Sequence, residues 1–530
     1  MQRRLSEFFT PETARKSGYT DEMHLPPELL TLDPRITALE YDSRKVEKGA
    51  LYFALPGLHA DGHQYIDDAI LRGALVIVHE AEIPLAKKNK GVVYLQVKDS
   101  RFAMSPIAAA FYGFPSRRLT VIGVTGTEGK STTVYLIFQL LRLMGKRAGF
   151  FSTVEYCVKD KVCQNPEHQT TPEASAVQRL LCEMVENGLE YAVVEASSHG
   201  LSPRTNRLGD VDFDAAVFTN VTHEHLEFHG TWEQYRDDKA NLFRALDKRH
   251  QKHSGNAPAP FGIINADDPS ADYFAEATKQ RTRTFSARGI GADISIRSIE
   301  SSAWGNWYET LIAGENEAID IRDKLPGAFN AGNVLAALLT VSGLLRLPVR
   351  ELIPLTPRLL PVKGRMTSIK NNFGFEVLVD YAHTPSSFLT IFPPLRDRIN
   401  KTGGRIISLF GSAGERDTKK RAEQGKIAAE YCDIVILTDE DPRGEKPMDI
   451  LEEIAKGCEA TQGCETKTRG ENLFLIPDRP QAIRKAFSLA RDGDIVLLLG
   501  KGHENSIIYA DKTIPYDEIA EAEKALKEMA

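Results

Sequence analysis

Short apolar runs, each broken by glycine or polar residues and followed by a helix-like stretch, recur along the whole chain. LYFALPG (51–57), ALVIVHE (74–80) and GVVYLQV (91–97) read as strands, with QYIDDAILRG (64–73) as a helix among them and Phe111–Pro115 as the exit. LTVIGV (119–124), YAVVEA (191–196), AAVFTN (215–220) and FGIIN (261–265) repeat the pattern. After LLPVKGR (359–365), the strands FEVLVDYA (375–382), GRIISLFG (404–411), CDIVILTDE (432–440) and DIVLLLGKG (494–502) alternate with helices such as KKRAEQGKIAAEY (419–431). Runs apolar on both faces and separated by helices belong to parallel sheets covered on both sides. The expected fold is α/β in three domains: a small N-terminal α/β domain over 1–118, a central doubly wound, mostly parallel sheet over 119–360, and a C-terminal Rossmann-like domain over 361–530. His250–Pro260 (HQKHSGNAPAP) reads as an exposed, mobile insertion.

Ligands of open α/β sheets collect beyond the carboxyl ends of the strands. Glu195, Asn220, Asn265 and Asp380 all stand there, as one polar rim would require. The strand at 119–124 runs into Gly126-Thr127-Glu128-Gly129-Lys130-Ser131-Thr132 and then a helix. Glycines at such a turn let backbone N–H groups close on phosphate oxygens, and the helix N-terminus adds its positive dipole end. Lys130 can reach the β- and γ-phosphates, and Ser131 can offer a hydroxyl to Mg²⁺. The loop is a variant: Val124 stands where the usual pattern has its first glycine, and Glu128 puts a carboxylate into a phosphate-binding turn. ATP or GTP is the expected ligand.

Composition narrows the class. The 530 residues are 42% hydrophobic and 26% charged, with a net charge of −7, so no basic field invites nucleic acid or acidic membranes. The six cysteines show no CxxC pair and no metal-ligand spacing, as reduced thiols of the cytosol would. The N-terminal segment lacks the apolar stretch of a secretory signal, and no apolar run reaches membrane-spanning length. A soluble, cytoplasmic monomer without membrane insertion is expected.

Two further segments carry chemistry. Glu195-Ala-Ser-Ser-His199 places a carboxylate, two hydroxyls and an imidazole at a strand end, and Asn220-Val-Thr-His-Glu-His225 places another imidazole beyond a neighbouring strand. Glu195 and a neutral His225 can complete the Mg²⁺ sites that Ser131 opens. With these motifs the chain resembles the Mur ligase family over essentially its full length, most closely the branch that adds the third amino acid of the peptidoglycan stem. The resemblance runs in order through Asp42-Ser-Arg44, Asp61-Gly-His63, GTEGKST, Thr170-Thr-Pro-Glu173, Glu195–Leu201, Phe218-Thr-Asn220, His225–Gly230, Tyr235 with Lys239, and Gly327 with Asn330 and Asn333. It continues through Gly364-Arg-Met366, Asp380–His383, Gly414–Asp417 and Gly500–Glu504.

The resemblance implies an ADP-forming ligase of cell-wall biogenesis. ATP would phosphorylate the D-Glu γ-carboxylate of UDP-MurNAc-L-Ala-D-Glu, and the amine of a diamino acid would attack the acyl phosphate. It implies that Lys130, Glu195, His225 and Lys239 are catalytic, with Ser131, Glu195, His225 and Lys239 holding metal. Lys239 would be carbamylated by CO₂, which turns a cation that repels Mg²⁺ into an anionic oxygen ligand. By the same resemblance Ser43, Arg44 and the Leu58-His59-Ala60 turn face the UDP. Gln169, Thr170, Thr171, Ser197 and Arg207 hold the muramoyl-dipeptide side. SPRTNR (202–207) is two residues longer than the common family form. Arg207 fits when counted back from Phe218, Arg204 when counted forward from His199, and Arg207 is preferred. Asn330 and Asn333 would approach the adenine, Arg365 the phosphates and Asp380 the ribose.

For the incoming amino acid the resemblance implies Arg416 at the α-carboxylate, with Gly500 and Glu504 at the amine end. Specificity falls to Glu440-Asp441-Pro442-Arg443, where members adding meso-diaminopimelate usually read Asp-Asn-Pro-Arg. Arg443 suits a distal carboxylate; the extra anion at Asp441 suits the distal ammonium of lysine or ornithine. Both readings stand at this point. A folylpolyglutamate-synthetase-like ligase shares the nucleotide loop but not the DSR, DGH, TTPE and SSHGL segments. A non-catalytic ATP-dependent switch would account for Glu128 and for Gly411-Ser-Ala-Gly414 in place of the family's GCGG, but not for Lys130, Glu195, His225 and Lys239 together.

Overall fold

The computed structural model of the chain describes residues 2–21, 25–26, 29, 31–57, 60–165, 169–222, 226–250, 252, 258–302, 304–315, 317–461 and 466–529. They divide into two compact units. One comprises Met1–Lys130, Ile137–Arg283 and Thr340–Arg346; the other comprises Ser131–Leu136, Thr284–Leu339 and Leu347–Ala530.

The first unit opens with four parallel strands in sequential order, β1 (Ala38–Glu40), β2 (Ala50–Phe53), β3 (Val76–His79) and β4 (Val93–Gln96). Strands β2 and β3 are buried along their whole length, which is why their residues read as unbroken apolar runs. Helix α1 (Ser100–Phe111) starts where Asp99 accepts the Phe102 amide at 2.8 Å, and packs Met104, Ile107 and Ala108 into the core beneath this sheet.

A second sheet follows, built from β5 (Thr120–Thr125), helix α2 (Lys130–Leu143), β6 (Ala148–Phe151), helix α3 (Ala174–Glu186), β7 (Tyr191–Glu195), the short helix α4 (Ser198–Leu201) and β8 (Ala215–Phe218). The helices α5 (Leu226–His229) and α6 (Trp232–Leu246) lead to β9 (Phe261–Asn265). The parallel order is β6-β7-β5-β8-β9, and two short antiparallel strands, Glu155–Cys157 and Cys163–Gln164, extend it beyond β6. The register sets Val124 beside Glu195 and Thr125 beside Phe218. The strand feeding the nucleotide loop therefore ends between Glu195 on one side and the Thr219-Asn220 turn on the other. Gly123 lets α6 lie close on β5: a Cβ there would meet Leu242 Cδ1 at 2.4 Å.

In the second unit β10 (Ile294–Ser302), β11 (Gly305–Ile312) and β12 (Ile319–Asp323) form an antiparallel meander, followed by helix α7 (Phe329–Leu345). The meander was not foreseen, because its strands carry alternating polar residues and present no long apolar run. The rest is a doubly wound sheet of β13 (Thr367–Ile369), β14 (Glu376–Asp380), α8 (Pro385–Thr402), β15 (Ile406–Phe410), α9 (Lys419–Tyr431), β16 (Ile434–Leu437), α10 (Pro447–Glu459), β17 (Leu473–Leu475), α11 (Arg479–Leu489) and β18 (Ile495–Leu499). Its order is β13-β14-β18-β15-β16-β17, parallel except for β13. The ribbon β19 (Ser506–Ile508) and β20 (Thr513–Pro515) precedes helix α12 (Glu518–Met529).

Among the described residues no single helix is long and apolar enough to cross a membrane. Of the expected mobile insertion, residues 251 and 253–257 lie outside the described ones. Lys252, within it, is buried rather than exposed: its ammonium donates to the Ser116, Leu119 and Asp212 carbonyls at 2.6, 3.1 and 2.9 Å and stands 3.1 Å from Asp214. Those acceptors replace the water that a lysine otherwise keeps.

Candidate active site

The nucleotide loop leaves β5 through Gly126 (φ +153°) and enters α2 through Gly129 (φ +81°), both in backbone regions that favour glycine. At Gly126 a Cβ would lie 1.9 Å from Thr219 Oγ1. The turn beyond β8 grips the loop's backbone. The Asn220 carbonyl and Oδ1 accept the amides of Thr127 and Glu128 at 2.8 and 2.9 Å, and Thr219 Oγ1 donates to the Glu128 carbonyl at 2.6 Å. Glu128 therefore sits in a loop whose main chain is fixed from outside. Thr127 Oγ1 shares a 3.1 Å hydrogen bond with the Tyr235 hydroxyl and accepts the Thr222 amide at 3.0 Å. Lys130 Nζ donates back to the Thr127 carbonyl at 2.7 Å.

Lys239, from α6, reaches the same loop. It is 1% exposed, its Nζ donates to the Gly126 carbonyl at 2.6 Å, and it stands 4.3 Å from the Tyr235 ring centre. Composition alone favoured a surface lysine; the structure buries it. Glu195 is buried at the end of β7, where Oε2 accepts the Thr153 amide at 2.8 Å and Oε1 accepts the Thr153 hydroxyl at 3.1 Å. His225 lies outside the described residues. Among the described residues no group of three or more His, Cys, Asp or Glu converges as a metal cage would.

Beside Glu195 the second group assembles. Thr171 Oγ1 donates to the Glu195 carbonyl at 2.9 Å, and Ser197 Oγ stands 2.9 Å from Thr171 Oγ1. Arg207 donates to the Thr171 carbonyl at 2.7 Å and to Glu173 at 2.8 Å, with its Nε buried and unpartnered. Arg204 instead donates to the Phe228 carbonyl at 2.9 Å near the surface. Thr171, Ser197 and Arg207 thus come together, and Arg204 does not join them. Thr170 is half-buried and Gln169 exposed. Ser43 and Arg44 open a 3₁₀ turn capped by Asp42, which also pairs with the exposed Arg44 guanidinium at 2.8 Å. Ala60 is exposed, and Leu58 and His59 lie outside the described residues.

In the second unit Thr133 Oγ1 donates to Asn333 Oδ1 at 3.2 Å, Asn333 Nδ2 to Asn330 Oδ1 at 3.0 Å, and Asn330 Nδ2 to the Pro326 carbonyl at 2.7 Å. Both asparagines are buried in a chain of side-chain bonds. Ser131 and Thr132 are buried in the first turn of α2. Asp380 accepts the Met366 and Ala382 amides at 2.7 and 2.8 Å, fixing the turn that carries Arg365. Burial raises its pKa despite the neighbouring Arg365 guanidinium. Arg365 lies 4.8 Å from the Tyr381 ring centre, with its Nε buried and unpartnered.

Of the amino-acid residues predicted from sequence, Glu440, Asp441, Gly500 and Glu504 meet where β16 and β18 end, through Lys501 and the packing of Glu440 against Gly500. Arg416 is exposed, on a loop tied down by the Gly414 amide donating to the Asp441 carbonyl at 2.8 Å. A Cβ on Gly414 would lie 1.9 Å from the Pro442 carbonyl oxygen, so this glycine of the GSAG segment is sterically required. Asp441 is not a free anion: Oδ1 accepts from Lys501 Nζ at 2.9 Å and from the Ile508 amide at 3.0 Å. Lys501, fully buried, also donates to Glu504 at 2.5 Å. Glu440 is 6% exposed, its Oε2 has no partner, and a Cβ on Gly500 would stand 2.9 Å from that oxygen. Burial pushes the Glu440 carboxyl up to about 7, against the pull of Lys420 and Lys501. Arg443 donates its amide to the Ile508 carbonyl at 2.9 Å and leaves its Nε buried without a partner.

Residues 35–112, 124–341 and 364–502 match the models described as the Mur ligase family catalytic domain, the Mur ligase middle domain and the Mur ligase glutamate ligase domain. The UDP-N-acetylmuramyl-tripeptide synthetase of Treponema denticola is 54% identical over 513 residues, 93% of this chain and 94% of that protein. The chain belongs to the Mur ligase family. A second relative, the UDP-N-acetylmuramoyl-L-alanyl-D-glutamate–2,6-diaminopimelate ligase of Geobacillus kaustophilus, is 37% identical over 94% of this chain and 96% of its own. A solved diaminopimelate ligase structure superposes with a TM-score of 0.62 at 26% identity, covering 100% of this chain and 99% of that one.

For this Mur ligase, sequence reasoning missed residues that carry no motif. Thr153 orients Glu195 through its amide and hydroxyl, and its signal is absent because it lies in a turn between strands. Asp238, next to Lys239, belongs to no motif in sequence, yet its Oδ2 stands 2.7 Å from His229 Nδ1, whose Nε2 stands 3.1 Å from Ser198 Oγ. That buried Ser198–His229–Asp238 chain ties the SSHGL turn to the helix that carries Lys239.

Proposed function

We propose that this Mur ligase joins a diamino acid to the D-Glu γ-carboxylate of UDP-MurNAc-L-Ala-D-Glu, with ATP converted to ADP and phosphate, in the cytoplasmic synthesis of peptidoglycan precursors. The observation that carries the reading is the placement of Lys239, buried with its Nζ 2.6 Å from the carbonyl of Gly126 in the nucleotide loop. The loop amides and Lys130 cradle the ATP phosphates and spread the charge of the phosphoryl group as it passes to the γ-carboxylate. The resulting acyl phosphate is attacked by the amine, and phosphate leaves from the tetrahedral intermediate. Thr171, Ser197 and Arg207 orient the muramoyl-dipeptide, and Asn330 and Asn333 face the adenine. Ser43 and Arg44 with the 58–60 turn take the UDP. The three segments 1–118, 119–360 and 361–530 would serve the nucleotide sugar, ATP and the amino acid in turn.

The donors suit a hard cation. Glu195 is a buried carboxylate already oriented by Thr153, Ser131 brings a hydroxyl, and a carbamate on Lys239 brings further oxygen. With His225, these residues would hold Mg²⁺, which supplies charge neutralisation to the phosphates when bound.

The amino acid favoured is a plain diamine, lysine or ornithine. Lys501 satisfies Asp441 and Glu504, while Glu440, acted on by Lys420 and Lys501 only through space, keeps a buried Oε2 with no donor. A side-chain ammonium would supply the donor that oxygen lacks. One observation favours diaminopimelate instead: the unpartnered Nε of Arg443 suits a distal carboxylate. The test is phosphate release with UDP-MurNAc-L-Ala-D-Glu, ATP and Mg²⁺, with each amino acid supplied in turn. Release that requires both the nucleotide dipeptide and an amino acid supports the ligase; ATP hydrolysis indifferent to both would overturn it.

A further inference from the structure

Outside the residues that would touch substrates, one heavily constrained side chain of the second unit is Arg479, the first residue of α11. Its guanidinium is fully buried and pairs bidentately with Glu518, the first residue of α12, at 2.8 and 2.7 Å. Both side chains have no solvent exposure. The remaining donors go to main chain: Nη1 to the Asp439 carbonyl at 3.0 Å, and Nη2 to the Leu499 carbonyl at 2.7 Å. Those are the residues immediately before Glu440 and Gly500.

An ion pair this dry gains little net stability, because desolvating both charges offsets their attraction. Its geometry accounts for it better. A planar fork with fixed donor directions can hold two strand ends at a set separation while its charge is balanced from the far side. The two strand ends launch the segments 440–443 and 500–504, which meet through Lys501–Asp441 and through Glu440 Oε2 packed over Gly500.

We infer that Arg479, held by Glu518, is a positioning residue that sets the spacing of the 440–443 and 500–504 segments and so the fit of the incoming amino acid. The inference rests on the reading of that cluster as the amino-acid site. Both residues are fully buried and Arg479 holds only the strand ends before Glu440 and Gly500, so the effect is expected at the amino acid and not at the other two substrates. Replacing both charges together, Arg479→Met with Glu518→Leu, fills the space without stranding an ion, while the Asp439 and Leu499 carbonyls lose their shared donor. That double variant is expected to raise the KM for the amino acid at least about 10-fold, a loss on the order of that for a misplaced binding group. The KM values for ATP and for UDP-MurNAc-L-Ala-D-Glu stay within about twofold. Arg479→Lys, which keeps the charge but cannot span all four acceptors, is expected to raise the same KM to a lesser degree, and it decides the matter if the double variant does not fold. An unchanged amino-acid KM, or equal rises for all three substrates, overturns the inference. A wild-type protein that releases no phosphate in response to any amino acid would instead overturn the functional reading on which it rests.

Discussion

Around the nucleotide loop, side chains hold main chain: Asn220 and Thr219 grip the amides and carbonyl of residues 127–128, and Lys130 and Lys239 donate to loop carbonyls. At the ends of β16 and β18, side chains hold one another, with Lys501 shared between Asp441 and Glu504, and Glu440 buried without a partner on Oε2. The first arrangement fixes the loop's main chain from outside and holds the entry into α2 in one conformation. The second leaves one buried carboxylate oxygen without a donor. A phosphate site is served by a rigid backbone that pays no reorganisation when charge develops, whereas a site that must choose among amino acids is served by an unmet acceptor that only the right side chain satisfies.

Five substitutions would break or sharpen this contrast. The largest effect is expected of Lys239→Ala, which removes a buried amine that contacts the nucleotide loop; kcat should fall about 10²- to 10³-fold, the range for one charge-stabilising group. Turnover within about twofold of wild type in CO₂-depleted buffer would remove Lys239 from the mechanism. Next comes Glu440→Gln, expected to raise the amino-acid KM about 10- to 30-fold with the ATP KM unchanged, the scale of a lost charge-assisted hydrogen bond.

The same residue gives a pH signature. In the free enzyme Glu440 is protonated below about 7, and a cationic side chain binds its carboxylate form. The amino-acid KM should therefore fall as pH rises from 6 to 8, and the Gln variant should flatten that profile. For the unliganded protein the sign is opposite: this raised carboxyl contributes stability that is full below its unfolded pKa and is lost as pH rises through about 7.

A smaller contrast concerns the two arginines of the SPRTNR segment. Arg207→Ala should raise the KM for the nucleotide dipeptide about 10-fold, and Arg204→Ala less than about twofold, since only Arg207 stands with Thr171. The reverse order, read by initial rates, would move the substrate arginine to 204. The smallest effect is expected at Glu128→Asn, a few-fold tightening of ATP by equilibrium titration, because the backbone that cradles phosphate is fixed by Asn220 and Thr219 rather than by this side chain. Weaker ATP binding would give the carboxylate a part in holding metal.

The nucleotide loop, its flanking strands and the doubly wound architecture were legible because they are local: an apolar run, two glycines and a GKS triplet suffice to specify a strand, a turn and a helix start. The meander at 294–323 was not, since strands wetted on one face show no continuous apolar run. Lys239 could be placed only through the family resemblance, because nothing in YRDDKANLF distinguishes a buried lysine from a solvated one. Asp441 shows a further limit. Its sequence reading as a free anion fails because Lys501, sixty positions away, neutralises it, and only the fold brings the two together. Arg479 carried no signal at all, since its partners are one distant glutamate and two carbonyls.

The most direct measurement is a competition in which the enzyme is given UDP-MurNAc-L-Ala-D-Glu, ATP, Mg²⁺ and equal amounts of L-lysine, L-ornithine and meso-diaminopimelate, with the tripeptide products weighed by mass spectrometry. The unpartnered Oε2 of Glu440 predicts a product dominated by a plain diamine, and a loss of that preference in Glu440→Gln. A product dominated by diaminopimelate in the wild type would show that Arg443, and not Glu440, chooses the substrate.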